Sequence, residues 1–174
     1  MKDLILGNHL YFAREGDDDG GTAVSATHIP DAESELWTKL PTVEDWEPKR
    51  TPNNVIRRAP SPGTYRTRKT IQLSSKMTHA FSLQEWSEMT FAELLLGGEK
   101  PVSGVFVPDA RGTLLTGWWM VLGYDQTESK IITLNVWGEG MIDGYKFGER
   151  LDPYALIVEQ LYSTLNSAKA ENLS

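Results

Sequence analysis

Apolar positions concentrate in residues 113–138, and the two halves of this stretch alternate differently. The first half reads Thr113-Leu-Leu-Thr-Gly-Trp-Trp-Met-Val-Leu-Gly123. Leu114, Trp118, Met120 and Leu122 share one parity, and Leu115, Trp119 and Val121 share the other. The second half, residues 131–138, puts Ile132, Leu134 and Val136 on one side only. Period-two alternation around the polar residues 125–129 predicts a β-hairpin. A strand apolar on both faces must be covered on both, by its own domain or by another chain.

The same reading predicts further elements. Leu4, Leu6, Leu10 and Phe12 mark a first strand over 4–14, followed by a Gly/Asp turn at 15–21 and a short strand at 22–29. Ile71, Leu73, Met77, Phe81 and Leu83 predict a long strand over 70–83 with one wet face, and His79 falls on its apolar side as a core or interface histidine. Thr90-Phe-Ala-Glu93 has the form of a capping box opening a short helix that Gly97-Gly98 ends. Residues 102–107 suit another strand. Asp152 and Pro153 suit the start of a helix, in which Tyr154, Ile157, Val158, Leu161 and Leu165 form one apolar stripe that would pack on a sheet. Residues 168–174 read as a polar tail.

Six of the nine prolines fall between residues 30 and 62 (Pro30, Pro41, Pro48, Pro52, Pro60 and Pro62). Proline lacks a backbone donor and fixes φ, which excludes a long helix or a central strand there. Trp37, Leu40, Val43 and Trp46 nevertheless supply large apolar anchors, unlike a flexible linker. The expectation is an extended arm over about 30–68 that either docks on a partner or folds back on its own core.

Charge sharpens this picture. The 174 residues carry a net −7, but residues 1–48 carry −8, residues 49–69 carry +7 with no acid, and residues 70–174 carry −6. Overall acidity argues against general nucleic-acid binding, whereas the local block Lys49, Arg50, Arg57, Arg58, Arg66, Arg68 and Lys69 can grip a phosphate or an acidic protein surface. There is no cysteine, which removes disulfides and thiol chemistry and fits a reducing cytoplasm. No apolar run reaches the roughly 18 residues of a membrane span, and residues 1–8 lack the core of a signal peptide. One soluble domain over 1–174, made in the cytosol, is the expectation.

Catalytic patterns are missing from the sequence. His9, His28 and His79 stand far apart, and no nucleophile elbow, phosphate loop or dinucleotide fingerprint occurs. Asp17-Asp-Asp19 lacks the spacing of an EF-hand and reads as a solvated turn. Neither an enzyme nor a cofactor or metal site is expected. Tryptophans can build a carbohydrate platform, but Trp118 and Trp119 point to opposite faces, so at most one could join it.

Taken in order, the chain resembles the major tail (tail tube) proteins of long-tailed bacteriophages. The resemblance rests on the extended loop, the strand at 70–83 leading into Glu85-Trp-Ser-Glu-Met-Thr-Phe-Ala-Glu-Leu-Leu-Leu-Gly-Gly98, and the segment ending Leu134-Asn-Val-Trp-Gly138. Ile142-Asp-Gly144 and the stripe ending near Ser163-Thr-Leu-Asn166 complete it, over residues 40–166. It implies a mainly β fold with a flanking α-helix (α+β), a sandwich or barrel of two packed sheets. It also implies hexameric rings stacked into a tube that conducts DNA without binding it, in a virion tail assembled in the bacterial cytoplasm, alongside tape-measure and terminator proteins. Trp37, Trp46, Lys49, Arg50, Arg57, Arg58, Trp118 and Trp119 are the candidate inter-subunit contacts. A tail terminator, a type VI-like inner tube subunit, or a soluble module binding carbohydrate or nucleic acid are the alternatives.

Overall fold

The computed structural model describes residues 7–108, 114–125, 127–148 and 152–171. Its principal strands are β1 (Gly7–Arg14), β5 (Val43–Ser61), β6 (Thr64–Leu83), β7 (Leu115–Tyr124), β8 (Lys130–Ile142) and β9 (Tyr154–Gln160). Short strands β2 (Asp18–Asp19), β3 (Thr22–Ala23), β4 (Thr38–Lys39) and β10 (Ser167–Ala170) complete the set. The main sheet runs β10-β8-β7-β1-β5-β6-β9, and β9 returns to pair with β8. The sheet therefore closes into a barrel, whose loosest seam is β1–β5, paired at Asn8↔Val43. The fold is mainly β with one helical segment, Met89–Leu95.

The predicted hairpin forms as β7–β8, with Trp118 opposite Trp137, Trp119 opposite Val136 and Val121 opposite Leu134. Its inner face enters the barrel core, where Trp119 and Val121 meet Leu10, Phe12, Phe81, Leu156 and Val158. Its outer face is covered by the chain itself. Val24, Ala26, Ile29, Leu36 and Trp37 pack over Trp118 and Trp137, and the Trp118 indole donates to the carbonyls of Ser25 (2.9 Å) and His28 (3.0 Å). Trp118 and Trp119 are both 0% exposed. Of the two coverings left open by the pattern, the intramolecular one is realised. Burial of this kind stabilises by roughly 25 cal/mol per Å² of apolar surface.

Four expectations need correction. The predicted C-terminal helix is instead strand β9 and the loop that follows it, with β10 starting only at Ser167. Tyr154, Leu156 and Val158 are buried while Ala155 and Ile157 are exposed, a period of two. β9 fills the gap between β6 and β8 and pairs with both, satisfying two edges that a helix would leave open. Residues 102–107 form a tight turn rather than a strand, with a Val102↔Val105 bridge around Ser103 and Gly104 at φ 53° and 76°.

The helix cap lies one turn earlier than predicted: the Ser87 amide donates to Thr90 Oγ1 (2.8 Å) and the Thr90 amide to Ser87 Oγ (3.2 Å). Glu93, freed from capping, is buried and pairs with Arg14 at the end of β1. The helical segment itself is π-wound, with the Leu96 amide reaching back to the Phe91 carbonyl (3.3 Å). Finally, the proline-rich arm is no loop. Residues 43–61 form a strand, paired with β6, while residues 30–42 stay on the barrel.

Two glycines make room for the core aromatics. A Cβ on Gly140 would lie 2.3 Å from the Trp119 ring, and one on Gly117 would lie 2.6 Å from the Phe12 ring. Gly140→Ala is therefore expected to cost about 1–3 kcal/mol through overpacking. The denaturant midpoint should fall at unchanged slope, whereas Gly144→Ala, with open space around it, should leave the midpoint in place.

Candidate functional site

The most unusual feature is the hairpin β5–β6. β9 accompanies β6 only over Thr78–Leu83, and β1 meets β5 only at Val43. From residue 49 to residue 77 each strand has only the other beside it, and both faces of the ribbon are largely open to solvent. Twelve residue steps from Lys49 to Ser61 give a reach of about 40 Å. Pro62 and Gly63 (φ 76°) form the tip, the residue pair that a type II turn favours.

Local chemistry explains how prolines enter so long a strand. The register shifts between Asn53/Asn54 and between Arg57/Arg58 skip Leu73 and Arg68 of β6, so β5 itself runs without interruption from Asp45 onward. Pro48, Pro52 and Pro60 then share one parity, which places their missing donors on a single edge. That edge is the one β6 does not cover, where proline costs no ladder hydrogen bond. One edge of the ribbon is thereby blocked against strand addition.

The side chains make the ribbon cationic. Between Pro48 and Leu83 there are eight lysines and arginines and no carboxylate. Arg57 stands directly across from Lys69, a like-charge cross-strand pair that is destabilising unless an anion meets it. Lys76 pairs with Glu159 of the barrel at 2.5 Å. Among the described residues, Lys49, Arg50, Arg57, Arg58, Arg68 and Lys69 have no carboxylate within ion-pair distance. Val55, Ile56, Leu73 and Tyr65 are exposed along the ribbon, Tyr65 at 71%.

At the ribbon's root, Trp46 stacks on Phe81 and covers His79. The Trp46 indole donates to His79 Nδ1 (3.3 Å), so the neutral ring carries its proton on Nε2, which donates to Gln160 Oε1 (3.3 Å). Burial lowers the His79 pKa from its usual value, the Gln160 hydrogen bond opposing it more weakly. His79 is thus the satisfied core histidine expected.

The eight candidate contacts separate into three groups. Lys49, Arg50, Arg57 and Arg58 stand exposed on the arm. Trp118 and Trp119 are internal and offer nothing to a second chain. Trp46 is half-buried at the arm's root, and Trp37 is half-buried over the Trp118 cluster, its indole donating to the Asp31 carbonyl (2.9 Å). Missing from the candidates were Arg68 and Lys69 on the returning strand. Their signal was present: a 37-residue run without one acid, from Pro48 to Gln84, that contains the Pro62-Gly63 turn.

A cleft of about 790 Å³ at the far end of the barrel is lined by Arg14, Glu93, Gly98 and Leu115. Its buried carboxylate, Glu93, is spent on the half-buried Arg14. Among the described residues no group of three His, Asp or Glu side chains could hold a metal ion, and no helix is long and apolar enough to cross a membrane. Comparison of the sequence with protein-family models gives no match, and comparison with curated proteins gives no relative.

The His79 geometry sets a pH dependence at the arm's root. In the folded chain the pKa is depressed, so below about pH 6.5 the unfolded chain binds the extra proton and stability falls. Burial depresses His9 in the same direction, followed by the charge of Lys39. The melting temperature is therefore expected to drop between pH 7.5 and pH 5, and His79→Gln should shallow that slope without removing it. An unchanged slope would show that His79 carries none of the proton linkage.

Proposed function

We propose that this chain is a structural subunit of a bacteriophage tail tube, self-assembling into stacked hexameric rings whose channel conducts DNA. The observation carrying this reading is the arm, a two-stranded ribbon open on both faces, cationic, and rooted in a well-packed barrel. Isolated two-stranded hairpins are marginal in water, so such a ribbon gains its order by docking. Projection of one arm per subunit onto a neighbour suits a repeating heterologous assembly. The element order of the tail-tube resemblance supports the reading up to residue 142; beyond it, strand β9 stands where that resemblance implies a helix. On this reading the protein works in the virion tail, with tape-measure and terminator proteins as neighbours, and without catalysis or cofactor. The acidic remainder of the chain would line a channel that repels DNA phosphates.

A second reading, nucleic-acid binding, is favoured by the same unpaired cations, which match a phosphate backbone. Its carbohydrate counterpart draws no support from the tryptophans, since none of the six is fully exposed.

The two readings separate on the whole protein. Full-length chain is expected to form rings or tubes of uniform diameter in negative-stain micrographs, with native mass rising with concentration. Replacing residues 50–77 by Asn-Gly closes the ribbon at its Lys49↔Thr78 pair, and should leave a folded chain that no longer polymerises. A full-length protein that stays monomeric and shifts duplex DNA in a salt-dependent manner would favour the second reading.

A further inference from the structure

We infer that the receptor for the basic arm is the acidic lobe formed by residues 15–35 of the next copy. This rests on the self-assembly reading and names the surface that it leaves open. Between Glu15 and Glu35 there are seven carboxylates and no lysine or arginine. They come from two segments: Glu15, Asp17, Asp18 and Asp19 around the β2–β3 hairpin, and Asp31, Glu33 and Glu35 in the following loop. His28 Nε2 and Ser34 Oγ both meet the Asp19 carboxylate, at 3.0 and 3.5 Å, holding the two segments together. The Gly21 amide donates to Asp18 Oδ1 (2.9 Å). Glu15, Asp18, Asp31, Glu33 and Glu35 are exposed.

Register places arm and lobe at opposite ends of the molecule. β5 runs antiparallel to β1 and meets it at Asn8, near the start of β1, so its continuation projects beyond that end. The lobe follows Arg14 at the other end of β1. Its second segment also lies there, because Thr38 pairs with Phe12 and the residues before Thr38 continue past Arg14's end. A chain's own arm points away from its own lobe. Head-to-tail stacking instead delivers the arm of one copy to the lobe of the next. The reach of about 40 Å exceeds the roughly 25 Å length of β1, enough to run alongside a neighbouring barrel. With Lys76 already paired to Glu159, the seven cations from Lys49 to Lys69 match seven carboxylates, and the lobe supplies the anions that Arg57 and Lys69 need across from one another. The contact is heterologous, so it propagates into a ring or a tube.

The test uses charge reversal on exposed residues in the full chain. The arm variant carries Arg57→Glu, Arg58→Glu and Lys69→Glu; the lobe variant carries Asp31→Lys, Glu33→Lys and Glu35→Lys. Circular dichroism melts check that each remains folded. By light scattering at low salt, each variant alone is expected to show the mass of a single chain, and an equimolar mixture should regain assembly. Wild-type assembly should weaken steeply towards about 1 M salt, where screening shortens to roughly 3 Å. A lobe variant that assembles like wild type, or a mixture that stays dissociated, would overturn the lobe as receptor while leaving self-assembly standing. A wild-type chain that is monomeric at every concentration would overturn both, and a duplex-DNA gel shift by that monomer would assign the arm to nucleic acid.

Discussion

Two tryptophans adjacent on one strand cannot share a compartment, and most of this structure follows from that constraint. Trp119 points into the barrel, where Gly140 leaves space for its ring. Trp118 points outward, and an outward indole must be covered and its N–H satisfied. The chain meets the second demand with residues 24–37, whose apolar side chains close over Trp118 and Trp137 and whose Ser25 and His28 carbonyls accept the indole hydrogen. Covering both faces of β7 this way occupies the segment between β3 and β4. The acidic turns at either end of that segment are consequently held at one end of the barrel, next to each other.

Much of the core was legible because strand burial leaves a simple record. The β7–β8 hairpin, its turn and the parity of Trp118 and Trp119 all read directly from period-two alternation, as did the base of β6 and the buried His79. Failures arose where one sequence fits two periods. Tyr154, Val158 and Leu161 lie on a helical stripe, while Tyr154, Leu156 and Val158 lie on a strand face, and local pattern cannot choose between them. The deciding facts were the vacant edges of β6 and β8, which are tertiary. The capping box failed for a related reason: Glu93 suits a helix start, yet Arg14, far away in sequence, outbids the backbone amide for it.

The arm was legible in composition and not in form. Prolines were a reason to exclude a central strand, and β5 obeys that rule by being an edge along its whole free length. What the rule does not reveal is that prolines of one parity permit a long strand while denying its outer edge to other strands. Likewise, the coverage of Trp118 was left open between the chain and a partner. Only the tertiary placement of residues 24–37 resolves it.

These two outcomes together shift the demand for a partner from the hairpin to the arm. An apolar face awaiting a neighbour would favour a dry, permanent interface. A cationic ribbon with scattered Val55, Ile56, Tyr65 and Leu73 favours a contact led by charge and finished by modest apolar burial. Charge acts over a Debye length and guides approach, whereas apolar contact acts only on touching. On the self-assembly reading, a subunit built this way would find its neighbour before either has rearranged, because its barrel is already complete. The blocked β5 edge adds direction. Strand addition on that side is prevented, so a partner would meet the ribbon through its faces, where the cations are. On the self-assembly reading, fold and assembly are thereby separated: the tryptophans complete the first, and the arm is left free for the second.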